Sequence, residues 1–300
     1  MAEVSQSRLI AGTPEWLEPG LRRVLAPNPS PLTGPGTNSY ILGEGRVAII
    51  DPGPGHPEHL EALLGALAPG ERVEMIIVTH AHHDHSELAP HLASRVGAPV
   101  VAFGDASAGL NPAFAALGNL GGGEGADHAF QPDETVADEA VIEGPDWRLQ
   151  VIHTPGHFGN HICLAWNDVV FSGDQAMGWS TSIVSPPDGD MTAYMTSLDR
   201  LRALNARRLY PGHGAEVLDA EARLRELVDH RRGREAQILA ALQQGGGAAA
   251  DLAARIYTDV PPGLLPAATR NVFAHLLDLE ARSLARASSE DRLRARWEPV

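Results

Sequence analysis

The chain has 300 residues, 43% of them hydrophobic and 20% charged, with a net charge of −15 at pH 7. That composition belongs to a globular protein large enough for two domains, and it excludes a disordered chain. The longest aliphatic runs, "VAII" and "MIIV", are far short of the ~20 apolar residues of a membrane span, which excludes a spanning helix.

The first twenty residues, "MAEVSQSRLIAGTPEWLEPG", show no charged stretch leading into an apolar one, so no export signal is expected. A single cysteine, Cys163, rules out an internal disulfide and suits the reducing cytoplasm. "SYILG" and "RVAIID" read as a hairpin about Gly43–Gly45, followed by the breaker-rich "PGPGHP". "PEHLEALLGALA" has helical periodicity, with Pro57 in its first turn. Next come a strand at "EMIIVT", a histidine cluster, a helix over about 87–96 and a strand at "PVVAF". Residues 104–134, with "GLNP" and "GGGEG", read as a loop-rich excursion. Strands resume at "WRLQVIHT", "HICLAW" and "DVVFSG", then a helix over about 190–204 leads to a strand at "RRLY". Interleaved strands and helices make residues 1–220 an α/β sandwich-type domain.

After Ala220 the pattern turns helical, in "EARLRELVDHRRGREAQILAALQQ", "AAADLAARIYT" and "PAATRNVFAHLLDLEARSL". A closing "ARASSEDRLRARW" reads as a short hairpin, so residues 221–300 have the pattern of a winged helix. The charge changes at the same place: 11 arginines stand against 27 acids up to residue 220, and 12 against 11 beyond it. An acidic body repels a phosphate backbone, which argues against a polyanionic partner. The segment "FAHLLDLEARSL", where a recognition helix would lie, holds two acids and one arginine. Arg231, Arg232 and Arg234 form a local basic cluster, read as a solvated helix face or as a contact for an anionic substrate.

The chemistry is concentrated in "VTHAHHDHSE". Alternate side chains on a strand share a face, so His80 and His82 project together from the end of "MIIVT". A turn into a helix near Ser86 brings Asp84 and His85 to the same hollow and leaves His83 pointing away. Imidazole nitrogen and carboxylate oxygen suit zinc, and also manganese or iron. His157 in "HTPGH", Asp174 in "FSGD" and His213 in "YPGHG" each follow a strand in a glycine-rich turn. Seven ligands are too many for one tetrahedral ion and right for two divalent ions sharing a carboxylate. His80, His82 and His157 would hold one ion, and Asp84, His85 and His213 the other, with Asp174 between. Such a pair, ~3.5–4 Å apart, holds a bridging hydroxide that is a nucleophile at neutral pH. Hydrolysis follows. His56, His59, His91, His128, His230 and His275 are read as structural or solvent-facing, and His153 as a strand residue behind the site.

These motifs resemble the metallo-β-lactamase superfamily, whose H-x-H-x-D-H stands here as His80, His82, Asp84 and His85. The resemblance covers roughly residues 20–220 and implies a four-layer αβ/βα sandwich with a dinuclear zinc site at one edge of the sheets. "DPGPG" resembles the family's early D-x-G turn and implies that Asp51 orients a ligand from behind. The tail resembles the branch with a C-terminal winged helix, which includes a single-strand endoribonuclease and polyketide thioesterases. Phe158 departs from the threonine usual after "TPGH", beside the expected pocket. Met177, Trp179 and Ile183 either line an acyl pocket or belong to the core. The expected activity is cleavage of a carboxylic ester, thioester or lactone in a small-molecule or acyl substrate. Asp84 is the expected proton carrier. Cleavage of single-stranded RNA and a non-enzymatic metal-sensing regulator are the alternatives. The protein is expected in the cytoplasm with no membrane partner, and nothing in the sequence sets its oligomeric state.

Overall fold

The computed structural model describes residues 9–115, 117 and 125–300. The start of the segment read for an export signal and most of the "GGGEG" run lie outside them. The first sheet takes seven strands in chain order: β1 (Pro14–Glu18), β2 (Leu21–Leu25), β3 (Asn38–Leu42), β4 (Arg46–Ile50), β5 (Arg72–Ile77), β6 (Val100–Ala102) and β7 (Glu134–Thr135). β1 to β4 pair antiparallel and β4 to β7 parallel. Between these strands lie α1 (Pro57–Gly65), α2 (His83–Ser86), α3 (Ala89–Val96) and α4 (Pro112–Ala115). The second sheet holds β8 (Val141–Glu143), β9 (Arg148–His153), β10 (Ile162–Trp166), β11 (Val169–Gly173) and β12 (Arg208–Pro211), in the order β12-β11-β10-β9-β8. Helix α5 (Met191–Ala203) connects β11 to β12.

Strand alternation sorts the residues into layers. Tyr40 and Leu42 of β3 face the second sheet, where Leu149, Val151, Leu164 and Phe171 meet them. Ile41, between them, packs with Leu63 of α1 and Leu92 of α3. On the second sheet Ile162 and Leu164 point inward while Cys163 packs with Tyr194 and Leu198 of α5. The result is helices, sheet, sheet, helices: the four-layer sandwich.

β1 and β2 carry no expectation from the sequence, because "LRRVL" puts two arginines where a buried strand wants apolar side chains. All five residues of β2 are nonetheless buried. Arg22 Nη2 donates to both Glu71 carboxylate oxygens, at 3.0 and 2.8 Å, and Nη1 donates to the Ala66 carbonyl. Arg23 reaches Glu15 at 2.6 Å and Glu216 at 3.3 Å. Buried charges survive when paired in this way.

The C-terminal part has α6 (Ala220–Gln243), α7 (Ala249–Ile256), α8 (Leu265–Ala281) and the hairpin β13 (Ala285–Ala287) with β14 (Trp297–Pro299), a winged-helix arrangement. α6 serves two cores. Leu224, Leu227 and Val228 pack with Val170, Tyr194 and Leu209, whereas Ile238, Ala241 and Leu242 pack with Leu252, Phe273 and Trp297. Residues 271–277 of α8 are all buried, so that helix has neighbours on every side. No helix among the described residues is long and apolar enough to cross a membrane.

Candidate metal centre

Four strands each release a turn that carries part of the site. β5 precedes His80, β9 precedes His157, β11 ends one residue before Asp174, and β12 ends two before His213. β5 stops at Ile77, so His80 and His82 stand on an extended loop and not on the strand itself. Side chains take over the loop's hydrogen bonding there: the Thr79 amide donates to Asp51 Oδ1 at 2.7 Å, and the Ala81 amide to Asn160 Oδ1 at 3.1 Å. The helical turn begins at His83, three residues earlier than the sequence suggests, and turns Asp84 and His85 inward. His83 is exposed.

All seven sequence-selected residues meet. His82 Nδ1 lies 3.0 Å from His80 Nε2 and 3.1 Å from His157 Nε2. His85 Nε2 is 3.6 Å from Asp84 Oδ2 and 3.5 Å from Asp174 Oδ1. His213 Nε2 is 3.3 Å from Asp84 Oδ2 and 3.2 Å from Asp174 Oδ2. Asp174 Oδ2 also stands 3.6 Å from His157 Nε2, so this carboxylate faces both histidine groups.

Outer partners fix which nitrogen of four rings carries the proton, assigned from the hydrogen-bond network. Thr79 gives its hydroxyl proton to Asp51 Oδ2 at 2.8 Å and therefore accepts from His80 Nδ1 at 3.0 Å. His85 Nδ1 donates to Asp51 Oδ2 at 2.8 Å, His157 Nδ1 to the Ile183 carbonyl at 2.7 Å, and His213 Nδ1 to the Gly36 carbonyl at 3.2 Å. Each of these four Nε2 atoms is thereby turned into the centre. Asp51 occupies the place the sequence suggests, behind His80 and His85.

The electrostatics divide in two. Burial pushes His80 well below its ordinary value and His82 down to about 3, helped by the neighbouring imidazoles. Burial also lowers His157. Burial opposes the charge on His85 too, but Asp84, Asp51 and Asp174 outweigh it and raise it to about 9. His213 is raised well above the ordinary value in the same way, against burial and by Asp174 and Asp84. Three lone pairs with no proton and two carboxylates that hold protons on imidazoles form a cavity demanding positive charge.

The donor set fits divalent ions. His85 Nε2 and Asp174 Oδ1 are buried with no hydrogen-bond partner, and three groups of donors lie within 4.8 Å of one another: His80, His82 and His157; His80, His85 and Asp174; Asp84, His85 and His213. A Cβ at Gly212 would run into Asp174 Oδ1 and the His85 ring, so the "YPGHG" turn keeps this space open.

The residue model of the "Metallo-beta-lactamase superfamily" matches residues 32–213, and that of the "Beta-lactamase associated winged helix domain" matches residues 248–297. The chain belongs to the metallo-beta-lactamase superfamily. It is a metal-dependent hydrolase, as the donor set and the family agree. It is 33% identical to a "Beta-lactamase-like protein 2 homolog" of Drosophila melanogaster, over 89% of each chain. It is 32% identical to an "Atrochrysone carboxyl ACP thioesterase" of Aspergillus fumigatus, over 80% of this chain and 70% of that one. Its fold superposes on a beta-lactamase domain protein of Burkholderia ambifaria with a TM-score of 0.80, at 20% identity over 99% and 96% of the two chains.

Several neighbours of the centre escape a reading of the sequence. Thr37 Oγ1 donates to Asp84 Oδ2 at 3.0 Å. His161, fully buried, accepts the Asp174 amide at Nε2 (3.1 Å) while Nδ1 meets Thr154 Oγ1 at 2.9 Å. Its place four residues after His157 was the available signal. Phe158 is also fully buried, with its ring 4.7 Å from that of His82; it packs under the ligands and does not face a substrate. His153 stacks on Phe103 and bonds the Gly159 carbonyl at 2.9 Å, bracing the "TPGH" turn. Trp179 lies against Gly34 and Gly214, whereas Met177 and Ile183 line the pocket. Arg231 is neither solvated nor open to substrate, being 1% exposed.

Proposed function

We propose that the seven residues hold two divalent ions, zinc foremost with manganese or iron also suited, and that the chain hydrolyses an ester-type bond. His80, His82 and His157 take one ion and Asp84, His85 and His213 the other, with Asp174 between them. Residues 1–220 carry the chemistry and residues 221–300 close the pocket, in the cytoplasm to which a lone buried thiol is suited.

The observation that carries the substrate reading is the pocket. A cavity of about 760 Å³ opens over Asp84, His157, Asp174 and His213, and its mainly apolar wall includes Leu32, Met177, Ile183 and Leu293 beside Ser180, Thr181 and Thr269. An apolar wall suits the acyl part of a carboxylic ester, thioester or lactone. A phosphodiester chain draws its affinity from cations along its backbone. Among the described residues Arg270 is the only arginine lining this cavity, its Nε donates to Ser185 Oγ, and Asp188 adds an acid. The winged helix is consistent with the same reading, since α8 turns Pro266, Ala267 and Arg270 to the pocket and is buried throughout residues 271–277. The thioesterase named among the relatives is consistent with it.

Bound divalent ions lower the pKa of water to ~7 and polarise a carbonyl, which supplies the nucleophile and the electrophile. The chain's own groups do the positioning. Asp84 is the more open carboxylate, 27% exposed against 9% for Asp174. Held by Thr37 Oγ1, Asp84 orients the attacking water and carries its proton toward the leaving group. The apolar wall keeps the acyl chain in place and bulk water out.

The test is turnover of a panel of acyl thioesters, lactones and carboxylic esters by protein loaded with zinc or manganese, beside end-labelled single-stranded RNA and the variant Asp174→Ala. Ester-type turnover that falls to background in the variant is the expected result. RNA cleavage abolished by the same substitution, with every ester left intact, would replace this reading with a phosphodiesterase.

A further inference from the structure

The loop from Asp174 to the start of α5 is held by the C-terminal helices, and one of those contacts reaches the metal centre. Asn271 of α8 accepts the Val184 amide at Oδ1, 3.0 Å away, and the same oxygen accepts from Arg231 Nη1 of α6 at 3.1 Å. Arg231 Nη2 also donates to the Ser182 carbonyl, and its guanidinium lies 5.0 Å from the centroid of the Tyr194 ring. Residues 182 and 184 are therefore both clamped from the winged-helix side. Between them stands Ile183, whose carbonyl receives the Nδ1 proton of His157 at 2.7 Å. The clamp is buried: Arg231 is 1% exposed and Asn271 8%. Ser182 adds a second tie, its hydroxyl donating to the Asp174 carbonyl.

We propose that Asn271 and Arg231 are positioning residues for the metal centre. They hold the Ile183 carbonyl where it keeps the His157 proton on Nδ1 and leaves Nε2 free to bind an ion. A ligand histidine needs its second nitrogen fixed by such a partner, and losing the partner typically costs 10–100-fold in metal affinity. Here that partner is a backbone carbonyl, and a carbonyl in a loop is only as fixed as the groups that hold the loop. The winged helix thereby sets the affinity of the ion at His80, His82 and His157, apart from any contact with substrate. A built-in comparison exists in Arg223 of α6. It clamps the same loop at the Met177 and Ser180 carbonyls, both at 2.7 Å, without flanking Ile183.

The inference rests on the metal-centre reading above, and the experiment separates the two. Zinc affinities of both sites are measured by chelator competition, with cobalt absorption spectra, for the native sequence, Asn271→Ala, Asn271→Asp and Arg223→Met. Native protein that binds no zinc would end the metal-centre reading. Given two bound ions, Asn271→Ala is expected to lose about tenfold in affinity at the histidine site and to alter its cobalt spectrum. Asn271→Asp keeps an acceptor for Val184 and Arg231 and is expected to restore both. Arg223→Met is expected to lower the melting temperature and leave zinc affinity unchanged. Folded Asn271→Ala with native affinity, or Arg223→Met losing as much zinc affinity as Asn271→Ala, would overturn the proposal. A measurement that needs no variant guards against Asn271→Ala failing to fold. In nitrogen-labelled, metal-free native protein, His157 must carry its proton on Nδ1, and a proton on Nε2 would overturn the proposal equally.

Discussion

Asp51 shows what a single side chain does at this centre. One oxygen accepts the Thr79 amide, and the other accepts both the Thr79 hydroxyl and His85 Nδ1. It thereby sets two histidines at once, His85 directly and His80 through Thr79. Its backbone is held at φ 52, in the left-handed region that carboxylate residues visit more readily than most. Asp51→Asn can offer only one oxygen as acceptor, so either the Thr79 amide or the His85–Thr79 pair loses its partner. The expected result is a loss of 10–100-fold in zinc affinity, read by chelator competition, with little change in the circular dichroism spectrum. At this scale the sequence was most informative. Seven residues at distinctive spacings single themselves out, because chemistry restricts which residue types can bind a metal, and the structure brings all seven together. Their supports do not. Thr37, the Ile183 carbonyl and Asn271 act through position alone, and any residue has a carbonyl.

At the scale of elements, α6 joins the two parts of the molecule, and its start is capped by Asp219, whose side chain accepts the Ala222 amide at 2.9 Å. Removing that acceptor leaves an amide at the helix start without its partner. Asp219→Ala is expected to destabilise the protein by about 1 kcal/mol in urea unfolding. Activity should be unchanged, because the cap stands away from the centre. Elements with ordinary patterns were legible: the Gly43–Gly45 hairpin, α1, α5 and the three C-terminal helices all fall where periodicity puts them. β2 was not legible, since its arginines are matched by glutamates 49 and 193 residues away. β7, β8 and α4 have two, three and four residues, too few to show a period. Arg231 misled for a related reason. Arg232 of the same cluster is exposed, as a solvated helix face requires, and only Arg231 is covered by the loop.

The molecule as a whole buries several histidines in the neutral form, and that makes it sensitive to acid. His275 on α8 is the clearest case outside the centre. It is 1% exposed, neither ring nitrogen has a hydrogen-bond partner, and burial, with Arg231 and Arg282 nearby, pushes it down to about 3. The folded protein refuses a proton that the unfolded chain accepts near pH 6.5. Its contribution is therefore intact above pH 6.5 and is lost as pH falls toward 3. By pH 4.5 the penalty is on the order of 2 kcal/mol. The unfolding midpoint of metal-free protein should fall between pH 7 and pH 4.5, and His275→Leu should flatten that fall. A variant with the native slope would show that His275 is protonated in the folded state. The sequence shows a change of composition near residue 220. The sharing of α6 between two cores was not, because one helical period serves either partner equally well.

Cys163 sits between β10 and α5, fully buried, with its thiol pushed up to about 12 by that burial. For maleimide chemistry the native chain is therefore a blank. A cysteine placed at Leu32, a pocket residue that is 53% exposed, would be the single reactive thiol on the molecule. A fluorophore attached there would report occupancy of the cavity directly, with no background from the native sequence.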